Sequence, residues 1–584
     1  MKEILSGNEA IARGAYEAGV RVASSYPGTP STEILENIIL YKSIDASWAP
    51  NEKVALEVAM GASFGGGRAL ATMKHVGVNV AADPLFTLSY TGVKGGLVLV
   101  TADDPELHSS QNEQDNRNYA KFAKMPMLEP ADSQECLDFT KLAFEISETF
   151  DSPVLLRTTT RISHSKSVTI TSDPVGTLPE PKLERNASKY VMLPGNARVR
   201  HKIVEERLLK LSEYAETLDI NRVEMRDESI GVITCGISYQ YVREALPHAS
   251  VLKLGMVYPL PFQSIREFAG KVKNLYVVEE LDPFIEEQIK ARGIAAVGKE
   301  ILPICGELTP GRVKDAFQTA KPETRTIEQL PARPPNMCPG CPHRPVFYAL
   351  HKLGAYVTGD IGCYTLGFMP PLSAMDTCIC MGASIGNASG ITKVLSPEEK
   401  KKVVAVIGDS TFLHSGMTAL LDMVYNNSSA TVILLDNRIT AMTGRQENPA
   451  SGFTLMGQKA FQVDFTELVK ALGVRNVRTV DPYDFEETLQ AITEEMDRSE
   501  PSVIITSRPC VLIKKPGIFK RGEPQTVDPE ICSGCKACVK IGCPAIIWQS
   551  GSGSKGKAFI DPLFCSGCEV CVQLCKFLAI KGSK

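Results

Sequence analysis

Eight of the chain's 17 cysteines fall in its last 53 residues, in two tandem runs. The first reads Cys532-x2-Cys535-x2-Cys538-x4-Cys543-Pro544, the second Cys565-x2-Cys568-x2-Cys571-x3-Cys575. Three closely spaced thiolates and one remote one can wrap a cubane iron–sulfur cluster. Zinc sites and disulfides are the alternatives, and neither accounts for the doubled spacing. A chain with such a tail moves single electrons, so the rest of the sequence is read for their source.

The 584 residues exceed what a single core supports, so roughly three to five domains are expected. A hydrophobic content of 43% and a charged content of 22% describe an ordinary globular protein. The net charge of −4, without a basic face, argues against nucleic acid. The N-terminal MKEILSGNEAIARGAYEAG lacks a signal-peptide core, and no long uncharged apolar run suggests a membrane span. Many cysteines without a secretion signal suit metal ligation in a reducing, cytoplasmic setting.

Strand-like and helical runs alternate in three blocks, which predicts α/β domains with doubly wound parallel sheets. Residues 1–165 form the first, with strands at Gly19–Ser25 and Gly96–Thr101. Residues 166–228 are polar and read as an irregular connector with a charged helix near Val204–Leu218. Residues 229–325 restart the pattern with strands at Ile230–Thr234 and Leu275–Glu279 and a helix near Tyr239–Leu246. A Pro-rich linker at 326–336 opens the third block, 326–515, which has strands at Val403–Ile407 and Thr431–Leu435. A loop with Lys514, Lys515, Lys520 and Arg521 leads to the tail, 522–584.

In the third block a buried strand ends in Gly408-Asp409-Ser410, a helix follows, and a second strand ends in Asp436-Asn437, 28 residues beyond Asp409. This resembles the thiamine diphosphate motif, Gly-Asp-Gly followed about thirty residues later by Asn, with Ser410 in place of the second Gly. A diphosphate is held through Mg²⁺, which takes octahedral oxygen ligands. Asp409 would supply a carboxylate, Asn437 an amide oxygen and Ile439 a backbone carbonyl. Gly408 would admit the backbone, and the helix start would favour the anion. All lie at carboxyl ends of strands, where parallel sheets bind ligands.

Other motifs resemble the 2-oxoacid:ferredoxin oxidoreductases. Tyr26-Pro27-Gly28-Thr29-Pro30-Ser31 is similar to their Tyr-Pro-x-Thr-Pro-Ser turn, and Pro50-Asn51-Glu52-Lys53 to their Glu-containing segment. The resemblance implies that Glu52 activates the cofactor through its pyrimidine ring, with Glu57 as rival. Thr29 would either touch substrate or stabilise its turn. Cys338-Pro339-Gly340-Cys341, Gly362-Cys363 and Cys510 match in order the ligands of a third cluster beside the thiamine, with Cys378 or Cys380 as other candidates for the fourth ligand. A zinc site would suit four thiolates too. The tail resembles two-cluster ferredoxins, where the fourth Cys of each run serves the other cluster. That gives one [4Fe-4S] cluster to Cys532, Cys535, Cys538 and Cys575, and the other to Cys565, Cys568, Cys571 and Cys543. Cys136, Cys235 and Cys305 read as core residues. His343 and His414 are structural or shuttle protons, and His75 and His108 are more remote candidates for the same work.

Over its whole length the sequence resembles the large (alpha) subunits of indolepyruvate:ferredoxin oxidoreductases. The resemblance implies oxidation of an aryl 2-oxoacid with coenzyme A to aryl-acetyl-CoA and CO₂, electrons passing to ferredoxin. A sister enzyme for branched-chain, dicarboxylic or other 2-oxoacids shares every motif. It also implies a separate small (beta) subunit in a hetero-oligomer, since the superfamily's gamma domain has no counterpart here. One departure stands out: Thr101-Ala102 is followed by Asp103 where the pyruvate enzymes place a carboxylate-reading Arg. Asp103 would either face substrate, disfavouring pyruvate, or face solvent.

Overall fold

The computed structural model describes residues 1–176, 180–182, 184–318, 334–513, 519–550 and 556–582, to which all counts below refer. It divides into two units, Met1–Ile327 and Glu328–Lys584.

The first unit is built on a seven-stranded sheet. Its order is Met256–Tyr258, Met127–Leu128, Val154–Thr159, Leu97–Asp103, Ala69–Lys74, Val22–Ser25, Asp45–Trp48. Every pairing is parallel except that of Met256–Tyr258 with Met127–Leu128. The central strands are buried at every position, as a sheet covered on both faces requires. A second, four-stranded sheet runs Asn274–Val278, Asp227–Cys235, Ala249–Leu254, Arg222–Glu224, the last antiparallel. The expected strands and the Gly236–Ala245 helix are thus present, shifted by a few residues.

The stretch 166–228 carries more regular structure than its polar composition suggests. Lys166–Ile170 pairs with Lys2–Ser6. The helix Pro194–Ala215 buries Arg200 and Arg207, whose guanidinium groups cap carbonyls of Tyr90, Ser89 and Asp151. Polar residues here dock a helix, which a hydropathy reading misses. Cys136 and Cys235 are buried as expected, whereas Cys305 is exposed, in a turn-rich surface stretch. Most of the linker at 326–336, and Lys514 and Lys515, lie outside the described residues.

The second unit carries a six-stranded, wholly parallel sheet: Thr377–Cys378, Tyr356–Gly359, Val403–Gly408, Thr431–Asp436, Ser502–Ser507, Asn476–Val480. The tail adds two antiparallel ribbons, Gln525–Val527 with Ile580–Gly582 and Ile546–Gln549 with Lys557–Ile560. It shares a core with the sheet: Ile541 and Val570 pack in one apolar cluster with Phe347, Tyr348 and Phe485. Gln573 fastens it further, accepting from the Phe485 N–H (2.9 Å) and donating to the Tyr483 carbonyl (2.7 Å). No described helix is long and apolar enough to cross a membrane.

Candidate functional site

Strands Val403–Gly408 and Thr431–Asp436 are neighbours, with Gly408 opposite Leu435. Asp409 and Asn437 therefore leave the sheet side by side at its carboxyl edge. Gly408 is required by crowding: a Cβ there would lie 2.7 Å from the Tyr364 ring. Asp409 is buried; its Oδ1 accepts from the Ser410 N–H at 2.6 Å, the Arg438 and Ile439 N–H groups lie near its carboxyl, and among the described residues its buried Oδ2 has no hydrogen bond of normal geometry. Burial, then the like charge of Asp436, pushes the Asp409 carboxyl well above the usual range. Such an orphaned acceptor is costly in isolation, and a divalent cation would satisfy it.

Asn437 is held by His343. The imidazole Nε2 lies 3.0 Å from Asn437 Nδ2 and accepts its N–H, while Asn437 Oδ1 accepts from the Ile439 N–H at 3.1 Å. Burial pulls His343 down to about 4, so the ring is neutral and can accept. His343 thus orients the amide. Ser410 and Thr440 close the turn, Thr440 Oγ1 donating to Ser410 Oγ at 2.9 Å. Asp360, buried after strand Tyr356–Gly359, accepts from the backbone N–H groups of Ile361, Gly382 and Ser384 at 2.9–3.0 Å. That carboxylate fixes the Ile361-Gly362-Cys363 loop, a role no motif announced. His414 meets Ser415 Oγ at 2.6 Å.

Cys338, Cys341, Cys363 and Cys510 converge beside this turn. The Cys341 thiol is pushed up to about 12 by burial first and then by Cys338 and Cys363. Cys363, raised to about 11 chiefly by burial, also feels Cys510 and Cys338, and Cys510 feels Cys338. The Cys510 N–H donates to the Asn437 carbonyl at 3.1 Å, one link between the cysteine group and the Asp409–Asn437 turn. Cys378 sits with Asp360 and Cys380 instead.

In the tail, one cavity is lined by Cys543, Cys565, Cys568 and Cys571, the other by Cys532, Cys535, Cys538 and Cys575. Each run therefore lends its fourth cysteine to the other group. Cys341 and Arg344 stand in the wall of the first cavity.

In the first unit, Glu52 opens the helix Glu52–Phe64, which is capped by Asn51 accepting from the Val54 N–H (2.9 Å). Glu52 is buried, whereas Glu57 is exposed and ion-paired with Lys53. Gly77 makes room for Glu52: a Cβ there would sit 2.8 Å from its Oε1. Lys74, lowered to about 8 by burial against the pull of Asp104 and Glu52, donates to the Ser109 carbonyl at 2.9 Å. Ser109 in turn donates to the Thr29 carbonyl at 3.4 Å. His75 is buried and pulled down to about 4 by burial, with Nε2 3.0 Å from the Asn112 carbonyl. His108 meets Glu307 at the surface.

Asp103 faces neither substrate nor solvent. It is fully buried; its Oδ2 accepts from Arg157 Nε at 2.7 Å and from the Asn116 N–H at 3.1 Å. Arg157 also pairs with Glu129 (2.7 Å), and nearby Arg117 binds Asp115 (2.5 Å) and Glu279 (2.6 Å). A side chain committed to this network does not contact a substrate's carboxylate, so Asp103 does not disfavour pyruvate.

Residues 13–227 match the family described as pyruvate flavodoxin/ferredoxin oxidoreductase, thiamine diphosphate-binding. Residues 360–506 match the thiamine pyrophosphate enzyme C-terminal binding domain. The indolepyruvate oxidoreductase subunit IorA of Archaeoglobus fulgidus is 41% identical over 94% of this chain and 93% of its own. That of Pyrococcus horikoshii is 40% identical over 99% of this chain and 97% of its own. A solved 2-oxoglutarate:ferredoxin oxidoreductase from Magnetococcus marinus aligns over 54% of this chain and 65% of its own, at 18% identity and a TM-score of 0.46. On the strength of near-full-length relatives at about 40% identity, the chain belongs to the indolepyruvate oxidoreductase IorA family.

Proposed function

We propose that this chain is the large subunit of a thiamine diphosphate-dependent indolepyruvate:ferredoxin oxidoreductase, converting aryl 2-oxoacids and coenzyme A to aryl-acetyl-CoA and CO₂. The observation that carries the reading is the Cys510 N–H bonded to the Asn437 carbonyl, which sets four cysteines directly against a diphosphate turn. A non-oxidative decarboxylase has no use for that juxtaposition. When bound, the cofactor supplies the electron sink for decarboxylation. Asp409, Asn437 and the Ile439 carbonyl, with Gly408 and Ser410 shaping the turn, hold its diphosphate through Mg²⁺. Asp409 Oδ2 supplies the charge and His343 keeps the Asn437 amide in place. Glu52 engages the pyrimidine ring, and Thr29 faces substrate.

The three cysteine groups hold three [4Fe-4S] clusters. The domain reading follows: a pyrimidine-type domain at 1–165, a connector at 166–228, a transketolase C-terminal-like domain at 229–325, a diphosphate domain at 326–515 and a ferredoxin-like domain at 522–584. The enzyme works in the cytoplasm as a hetero-oligomer with a small subunit and delivers electrons to ferredoxin.

Two measurements test this. First, dye reduction by the reconstituted two-subunit enzyme is compared across indolepyruvate, phenylpyruvate, pyruvate, 2-oxoglutarate and 2-oxoisovalerate. An indole ring buries roughly 150–250 Å², on the order of 4–6 kcal/mol at about 25 cal/mol per Å² before entropic losses. Aryl substrates should therefore lead clearly in kcat/KM; a lead by 2-oxoisovalerate would transfer the assignment to the branched-chain sister enzyme. Second, Glu52→Gln should slow C2 hydrogen–deuterium exchange of bound thiamine diphosphate by about 10²–10⁴-fold, with iron content unchanged. An unaltered exchange rate would remove Glu52 from catalysis.

A further inference from the structure

Arg344 follows the Cys338–Cys341 pair in the first turn of helix His343–Leu353 and is 3% exposed. Its Nη1 donates to the carbonyls of Ile541 (3.2 Å) and Gly542 (2.7 Å) in the tail. Its Nη2 donates to the Met337 carbonyl (2.5 Å) and Asn336 Oδ1 (3.3 Å) in the diphosphate domain. Among the described residues its Nε is buried without a partner. All four acceptors are neutral. A guanidinium keeps its charge when buried, and a buried charge without a counter-ion costs several kcal/mol.

As thiolate ligands of bound clusters, the sulfurs nearby would offset this. Arg344 lines the cavity of Cys543, Cys565, Cys568 and Cys571 together with Cys341. Its electrostatic partners are Cys543 and Cys568 on one side and Cys341 and Cys338 on the other. The outer tail group lines a separate cavity without it. The extra residue in the Cys538-x4-Cys543 spacing falls here. The turn Val539–Ile541, closed by Gly542 at φ 72°, presents two carbonyls to the guanidinium.

We propose that Arg344 is a positioning residue of the electron relay: a fixed buried cation shared by the cluster next to the thiamine site and the inner tail cluster, raising the reduction potential of both and leaving the outer one unchanged. The proposal rests on reading the three cysteine groups as iron–sulfur clusters. Net charge around a cluster is a main determinant of its potential. One electron leaving the cluster of Cys338, Cys341, Cys363 and Cys510 oxidises it by one and reduces that of Cys543, Cys565, Cys568 and Cys571 by one. No proton or further reactant is needed. Arg344 stabilises the added charge on either side, so the transfer between them stays close to balanced.

The test is an anaerobic potentiometric titration of the holoenzyme followed by low-temperature electron paramagnetic resonance, after iron and sulfide analysis. Arg344→Gln keeps amide donors for the carbonyls but removes the charge; Arg344→Lys keeps a charge on a shorter reach. In Arg344→Gln two of the three signals should shift to lower potential by at least tenfold in the reduced-to-oxidised ratio, 59 mV for one electron, while the third stays put. Arg344→Lys should shift the same two by less. If Arg344→Gln loses iron, Arg344→Lys decides alone. Two unshifted signals, or three that shift together, overturn the proposal. Iron for fewer than three clusters in the unsubstituted enzyme would instead overturn the cluster reading.

Discussion

In the Asp409→Ala variant, thiamine diphosphate with Mg²⁺ is expected to bind at least about a hundredfold more weakly, since an anionic ligand to a metal-bridged diphosphate contributes several kcal/mol. The structure adds a second expectation. Burial and Asp436 hold the Asp409 carboxyl above its ordinary range, so its ionised form is less favoured in the fold than in the unfolded chain. For a carboxyl raised this way, stability falls as pH rises past the unfolded value near 3.9 and on through the folded one. Removing Asp409 should therefore leave the cofactor-free Tm at neutral pH unchanged or higher. The variant should also lose the rise in Tm that cofactor and Mg²⁺ give the unsubstituted chain. Calorimetry of both forms checks this; an undiminished ligand-induced rise would mean that Asp409 does not hold the metal.

Cys338→Ala is expected to separate decarboxylation from electron export. Three cubanes hold about twelve irons, and this variant should retain about eight. Dye reduction should fall by at least about 10²-fold while the enzyme still releases CO₂ from an aryl 2-oxoacid. Cys338 is only half-buried, so the substitution leaves little cavity. Twelve irons in the variant would assign the third cluster to other ligands; unchanged dye reduction would place it off the electron path.

Much of the site was legible because its chemistry is local in sequence. Asp409 and Asn437 end two adjacent parallel strands, and strand ends are readable from a run such as Val403–Gly408 followed by a glycine turn. The crossed grouping of the tail cysteines was implied by the resemblance to two-cluster ferredoxins, and the two tail cavities are lined in that crossed arrangement. What escaped was set by pairing across long intervals. Asp103 ends a strand and looks like a site residue, yet its partner Arg157 lies 54 positions on and pairs with it inside the sheet. His343 was visible beside Cys341, but its duty toward Asn437 spans 94 positions. Cys305 looked apolar from its neighbours in sequence, and only chain folding shows which of those face inward.

The charged network around Arg117 and Arg157 bears on how such chains can diverge. Arg117 belongs to the first sheet's domain, but Glu279, one of its two carboxylate partners, comes from the block after residue 228, as does the Glu280 carbonyl it also binds (2.8 Å). That block returns strand Met256–Tyr258 to the edge of the first sheet, and its Gly236 leaves the space that Glu129 fills: a Cβ there would lie 2.3 Å from the carboxylate that pairs with Arg157. A gene cut between the two blocks would take from Arg117 one of its two carboxylate partners, leaving Asp115, and bare a sheet edge as well. Recombination that joined residues before 228 to a foreign second block would therefore have to rebuild both this network and the sheet edge.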